Sequence, residues 1–161
     1  MIEVYKNIFV GTEQDCQYYS PEGWAFIHAC KYPCHAKVVG YSGSLPSTHP
    51  HYLIYEKDNH LFLNMVDMEN ELLPRFTNPI MTEAIRFIDS HIKENRILIH
   101  CNQGQSRAPS IALIYLANKR VIKNGSFNEA FHDFIELYKL YQPGKGIGLY
   151  INRNWTILMN L

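Results

Sequence analysis

Ile97-Leu98-Ile99-His100-Cys101-Asn102-Gln103-Gly104-Gln105-Ser106-Arg107-Ala108-Pro109-Ser110-Ile111 divides into three parts. Ile97, Leu98 and Ile99 are a short apolar run of the kind that forms a buried parallel strand. His100 to Arg107 is a loop carrying a thiol, a glycine and a guanidinium. Pro109 to Asn118 has helix character, with Pro109 in the first turn, where a missing N–H costs nothing. Strand, tight loop and helix N-terminus together make an anion site, because loop N–H groups converge and the helix dipole adds positive partial charge. Cys101 and Arg107 are spaced so that the backbone between them curls around one tetrahedral dianion, which the planar Arg107 fork clamps through two oxygens. The same field favours thiolate over thiol: a free cysteine titrates near ~8.5, and a helix N-terminus with a nearby cation lowers that by several units. A phosphate held there sits beside a nucleophile already in its reactive form.

Outward from this loop, the chain is long enough at 161 residues for one domain with a real core, spanning 1–161. Its 47% hydrophobic and 19% charged residues are those of a soluble globular protein. Formal charge is zero, so no overall pull toward nucleic acid or membrane is expected. The longest apolar run, Ile111 to Ala117, is far too short to span a bilayer. Met1 to Val10 contains Glu3 and Lys6 and has no long apolar stretch, so a signal peptide is not expected. With Cys101 as a proposed nucleophile, Cys16, Cys30 and Cys34 read as reduced thiols of a cytoplasmic protein. Nothing in the sequence speaks to oligomeric state.

In chain order, Val4 to Gly11 reads as an edge strand, and Thr12 to Glu22 as polar chain with one helical turn, closed by Ser20-Pro21-Glu22-Gly23. Trp24 to Ala29 reads as a second strand. His28-Ala29-Cys30-Lys31-Tyr32-Pro33-Cys34-His35 holds two cysteines and two histidines, which invites a zinc reading. Cys30 and Cys34 lack a matching second pair, and one short segment would have to supply every ligand, so a plain strand-end loop is expected and no metal. Lys37 to Tyr41 reads as a short strand and Ser42 to His51 as loop. Tyr52 to Glu56 and His60 to Met65 read as a hairpin around Lys57-Asp58-Asn59. The histidines of this region, His28, His35, His49, His51 and His60, read as a solvated surface; if the region is functional, it carries substrate preference.

Asp67 follows the β-like run Leu61 to Val66, which puts a carboxylate at the rim of the sheet where the nucleophile loop starts. By position alone it competes with Asp58, Glu69 and Glu71, and capping a turn is an equal reading. Asn78-Pro79 opens a helix ending near Asn95, which leads into the strand before Cys101 as part of a right-handed crossover. Ser126 to Glu129 is a capping box for the next helix. Pro143 to Gly148 reads as an interhelical turn, and Ile151, Trp155 and Leu158 as the apolar stripe of a last helix.

His100 to Arg107 resembles the His-Cys-x-x-Gly-x-x-Arg signature of the cysteine-dependent protein phosphatases, most of all the dual-specificity branch. Asn7 to Gly11 is similar to that branch's opening strand. The resemblance runs from about residue 4 to 140, with the loop as its specific part. It implies a central, mostly parallel sheet with helices on both faces, a single α/β domain. It implies Cys101 as nucleophile, Arg107 with Asn102, Gln103, Gly104, Gln105 and Ser106 as the phosphate cradle, and Asp67 as general acid. His100 supports the loop through backbone contacts and favours the thiolate. The implied reaction is metal-independent and cofactor-free hydrolysis of a phosphate monoester through a phosphocysteine. The partner is a phosphorylated protein or small phosphate ester, with phosphotyrosine the default. Phosphoserine, phosphothreonine, an RNA 5′-phosphate and a phosphoinositide are the options.

One position departs from the pattern. The family places Ser or Thr directly after the loop arginine, where its hydroxyl helps the sulfur leave; here that residue is Ala108. A hydrogen bond to a charged group contributes about 1.5–3 kcal/mol, about ten- to a hundredfold in rate. Slow phosphoenzyme hydrolysis is therefore expected, and a non-catalytic phosphate-binding module is the alternative. Sulfur transfer or arsenate reduction on a similar loop is the third reading. Rhodanese-type loops have one residue fewer, and the low-molecular-weight phosphatase and arsenate reductase loops lie near the N-terminus.

Overall fold

The computed structural model describes residues 1–18 and 21–161, so the turn expected at Ser20 falls partly outside the described residues. Six strands form one sheet: β1 (Ile2–Tyr5), β2 (Ile8–Gly11), β3 (Trp24–His28), β4 (Ile54–Lys57), β5 (His60–Leu63) and β6 (Arg96–His100). Their order is β1-β2-β6-β3-β5-β4. The inner four run parallel, and β1 and β4 close the two edges antiparallel. A mostly parallel α/β sheet is thus the architecture.

Alternation along the inner strands gives the sheet two unlike faces. Ile8 and Val10, Ala25 and Ile27, Leu61 and Leu63, and Ile97 and Ile99 enter one large core. The same core receives the buried stripes of α2 (Pro74–His91), α3 (Arg107–Asn118), α4 (Phe127–Leu137), α5 (Lys145–Arg153) and α6 (Trp155–Leu158). Residues Arg107 to Ala117 of α3 are buried on every side. On the opposite face, Phe26 stacks on His60 and His28 on Phe62. Its cover is thin: a turn at Lys31–His35, the single-turn helix α1 (Ala36–Val39), and a small cluster of Cys30, Cys34 and Phe62 with Cys16, Val38 and Tyr55 against it. The helices do flank both faces, but very unequally.

Several boundaries differ from the sequence reading. Val4 to Gly11 is not one edge strand. Asn7, at φ 62°, turns β1 back on β2, and β2 then lies inside the sheet between β1 and β6. Residues 37–41 form no strand: Ala36 to Val39 make one helical turn, ended by Gly40 in the left-handed region at φ 86°. The β4–β5 hairpin turns on two residues, not three, because Lys57 pairs with His60 and Asp58 takes φ 54°. α2 begins at Pro74, earlier than expected, with Leu73 as cap; Pro79 lies inside it, and Asn78 accepts the Tyr150 hydroxyl at 2.6 Å instead of capping. The last helix is two, broken at Asn154. The Ser126 cap is present, its hydroxyl accepting from Glu129 N at 3.2 Å. Thr12 likewise caps one turn at Glu13–Asp15.

These packing differences predict unequal costs. Leu113→Ala, inside the all-round buried helix, is expected to cost about 2–5 kcal/mol in urea unfolding, and Ser126→Ala about 1 kcal/mol. Equal costs would contradict α3 as the centre of the core.

Candidate active site

The inner parallel strands end at one rim, with Gly11, His100 and His28 side by side in register. Cys101 follows β6 directly and is 1% exposed. The loop from Asn102 to Ser106 is pinned from outside through its carbonyls. Glu13 N donates to Asn102 O at 3.2 Å, and Gln142 N to Gln105 O at 2.8 Å. The Tyr138 hydroxyl donates to Gly104 O at 2.7 Å. Gly104 sits at φ 69°, and a Cβ there would lie 2.9 Å from Gly11 O, so the apex of the loop admits only glycine.

Arg107 opens α3 and is 7% exposed. Its guanidinium is bonded on three sides: Nε to Asp67 Oδ2 at 3.1 Å, Nη1 to Met65 O at 3.1 Å, and Nη2 to Asn102 Oδ1 at 2.8 Å. Asp67 is thereby brought to the loop, as its position after β5 suggested, while Asp58 lies in the distant hairpin and Glu71 pairs with Arg153. Ser106 Oγ donates to Asp67 Oδ1 at 2.9 Å and accepts from Gly144 N at 2.9 Å. Ser110 Oγ shares a hydrogen bond with the Tyr141 hydroxyl at 3.0 Å. Both serines near Ala108 are therefore engaged elsewhere than at the Cys101 sulfur. Gln103 extends at the outer lip, more exposed than Asn102 and Ser106. Val66 and Met68 flank Asp67 and are 45% and 47% exposed, an apolar shoulder beside the loop.

The stretch expected to be a plain turn, Pro143 to Gly148, proves to be the clasp on the acid loop. Gly146 N donates to Met68 O at 2.9 Å, and Leu72 N to Gly146 O at 3.3 Å. A Cβ on Gly146 would fall 2.2 Å from Asn70 O and 2.3 Å from Met68 O. The glycine-rich wording was visible in sequence, but its partner, the distant segment around Met68, was not.

The histidine-rich region is not a solvated surface throughout. His28, His35 and His60 are buried, His49 is half-buried, and His51 is exposed. His35 bonds the Tyr41 hydroxyl and His51 O, each at 2.9 Å. His100 does not order the loop through backbone contacts. Its Nε2 lies 2.7 Å from His28 Nδ1, while its Nδ1 has no hydrogen-bond partner among the described residues. His28 Nε2 lies 2.9 Å from His60 Nδ1. Burial pushes His28 down to about 4. The only sequence signal for this line of rings was that His28 and His100 both end strands.

No family model matches the chain. Among curated proteins, the dual specificity protein phosphatase YVH1 of Plasmodium falciparum (isolate 3D7) is 44% identical over 71 residues. That stretch is 44% of this chain and 12% of the longer relative. Among solved structures, human DUSP28 superposes with a TM-score of 0.63 at 13% identity, covering 99% of both chains. The human tyrosine phosphatase-like serine/threonine/tyrosine-interacting protein does so with a TM-score of 0.65 at 18% identity, covering 96% of this chain and 95% of that one. Over that stretch of 71 residues the chain is similar in sequence to a dual specificity phosphatase, and the whole chain shares the fold of these solved structures. No helix among the described residues is long and apolar enough to cross a membrane.

The clasp gives a paired test. Gly146→Ala is expected to cost about 1–3 kcal/mol in chemical unfolding, from overpacking against the acid loop. Gly148→Ala, whose new Cβ meets only Pro143 Cβ at 3.8 Å, is expected to be neutral or to stabilise by up to about 1 kcal/mol. Equal effects would remove the clasp.

Proposed function

We propose that this chain is a phosphatase that hydrolyses phosphate monoesters through a phosphocysteine on Cys101, with no metal in the chemical step. The observation that carries the reading is the constellation around Arg107: a buried fork, a nucleophile at the foot of the same loop, and a carboxylate held at its mouth. Three loop carbonyls are tied to outside partners, which keeps the loop N–H groups for an anion.

In the resting arrangement, Asp67 Oδ2 and Asn102 Oδ1 occupy two edges of the guanidinium with oxygens. A substrate phosphate brings oxygens of higher charge to the same fork and displaces them. Asp67 loses Arg107 but keeps Ser106 through its other oxygen, and so stays at the rim. The Cys101 thiolate attacks phosphorus, and the proton that the incoming monoester carries passes by way of Asp67 to the departing oxygen. Loop N–H groups and Arg107 carry the charge on the equatorial oxygens. Water, deprotonated by Asp67, then attacks phosphorus, and the Cys101 sulfur leaves.

The second step is where this chain differs. Ala108 offers no hydroxyl to the leaving sulfur, and the Ser106 and Ser110 hydroxyls are bonded to Asp67 and Tyr141. Phosphoenzyme hydrolysis limits turnover. The same feature favours a second reading, a phosphate-binding module with little turnover. Phosphotyrosine is the proposed substrate group, with phosphoserine and phosphothreonine next. The apolar shoulder of Val66 and Met68 suits an aryl or peptide chain better than a second charged group. The proposed setting is cytoplasmic, and 1–161 the catalytic domain.

The test is hydrolysis of a small aryl phosphate in buffer with no added divalent metal, followed by rapid quench. Cys101→Ser is expected to abolish turnover, and Asp67→Asn to lower it by about a hundred- to ten-thousandfold. Wild type is expected to show a product burst, and Ala108→Ser to raise the steady rate about ten- to a hundredfold. No turnover by wild type or Ala108→Ser, with vanadate still binding, would establish the module instead. A second variant isolates the acid's support: Ser106→Ala is expected to slow phosphoenzyme formation, read as burst rate or kcat/KM, more for esters of poor leaving groups than for activated ones, because only the former need the proton.

A further inference from the structure

Cys16, His28, Cys34 and His100 each offer one donor atom, and these four atoms lie within 4.8 Å of one another. They come from four separate places. Cys16 follows the turn after β2, His28 ends β3, Cys34 lies in the turn before α1, and His100 ends β6. His28, Cys34 and His100 are fully buried and Cys16 is half-buried. We propose that these four residues form a tetrahedral Cys2His2 site for zinc, or a like borderline-soft cation, beneath the phosphate loop.

The donor set is two sulfurs and two imidazole nitrogens with no carboxylate, which selects zinc or its congeners over magnesium or calcium. With Zn–S of about 2.3 Å and Zn–N of about 2.0–2.1 Å, a tetrahedron places sulfur and sulfur about 3.8 Å apart, and sulfur and nitrogen about 3.5 Å. Cys16 Sγ and Cys34 Sγ are 3.8 Å apart, and Cys16 Sγ and His28 Nδ1 are 3.5 Å apart. The His28 Nδ1 to His100 Nε2 edge, 2.7 Å, is a hydrogen bond. It opens by about 0.6 Å when a cation replaces the shared proton, and the longest separation closes by about an ångström. Outer partners are also in place. His28 turns its other nitrogen to His60 Nδ1 at 2.9 Å, which orients the ring, and the Tyr18 hydroxyl donates to Cys34 Sγ at 3.4 Å. A Cys16–Cys34 disulfide would account for the two sulfurs but not for the two imidazole nitrogens converging on them.

Binding displaces the thiol protons and the proton shared between His28 Nδ1 and His100 Nε2. The cation would tie three segments to the residue that precedes Cys101. Its role is therefore to hold the foot of the phosphate loop, and no reaction step passes through it. Segment 28–35 read alone supplies only half a site; Cys16 and His100 complete it through the fold.

The experiment is titration of the reduced, full chain with Co2+ alone and Zn2+ alone, read by absorption and by metal content after gel filtration. Wild type and Cys101→Ser are each expected to hold about one equivalent, with the thiolate-to-cobalt charge-transfer band and the intense visible bands of a tetrahedral ion. Zn2+ is expected to displace the cobalt. Cys16→Ser and Cys34→Ser are expected to lose the charge-transfer intensity and bind at least about tenfold more weakly, with circular dichroism reporting that they are folded. The proposal is overturned if folded, reduced wild type gives no tetrahedral spectrum, or if its spectrum is that of both cysteine variants. It is also overturned if thiol counting on the chain as isolated finds Cys16 and Cys34 joined as a disulfide that excludes zinc. The wild-type spectrum decides the matter even where a variant fails to fold.

Discussion

A guanidinium buried at the head of a helix is expensive unless its donors are met, because leaving a charged group unpaired in the interior costs several kcal/mol. Arg107 imposes that condition on everything near it. Its three bonds reach the chain after β5 through Met65 and Asp67, and its own loop through Asn102. Asn102 in turn reaches Glu13 and Tyr32 O, each at 3.0 Å. Satisfying one cation thus aligns the segments after β2, β3, β5 and β6 at a single rim. Under the proposed function these are the segments that a phosphate ester meets, and the resting partners of Arg107 then also define the shape of the mouth.

The two faces of the sheet divide the labour. The helical face supplies apolar burial on a scale that makes strand register hard to slip. The opposite face carries aromatic and imidazole rings in cross-strand contact, where His100, His28 and Phe62 succeed one another across β6, β3 and β5. Ring stacking and ring hydrogen bonds are directional, while methyl packing is not. Position at the foot of the loop therefore comes from the thin face, and cohesion from the thick one.

What was legible in the sequence follows the same division. The strand, loop and helix around Cys101 were readable because each local preference agrees with the final structure: an apolar run, a glycine where φ is positive, and a proline in the first turn of a helix. Asp67 was readable as a strand-end carboxylate. Residues 37–41 misled because Val38 and Val39 favour strands, and the left-handed turn at Gly40 overruled them. The start of α2 misled because Asn78-Pro79 is a strong helix opener, yet Leu73-Pro74 comes first and the Asn78 side chain is taken by Tyr150. The burial of His28, His35 and His60 and the clasp of Gly146 on Met68 are contacts between distant segments. No periodicity reports those.

α3 is buried along almost its whole length, from Arg107 to Ala117. A helix without a solvent face has no position at which sequence can drift freely. Neutral change over generations is left to exposed borders such as the loop before β4 and the shoulder around Asp67. Descendants of this chain can change what meets the loop by rewriting those borders, while the helix that carries Arg107 stays nearly frozen.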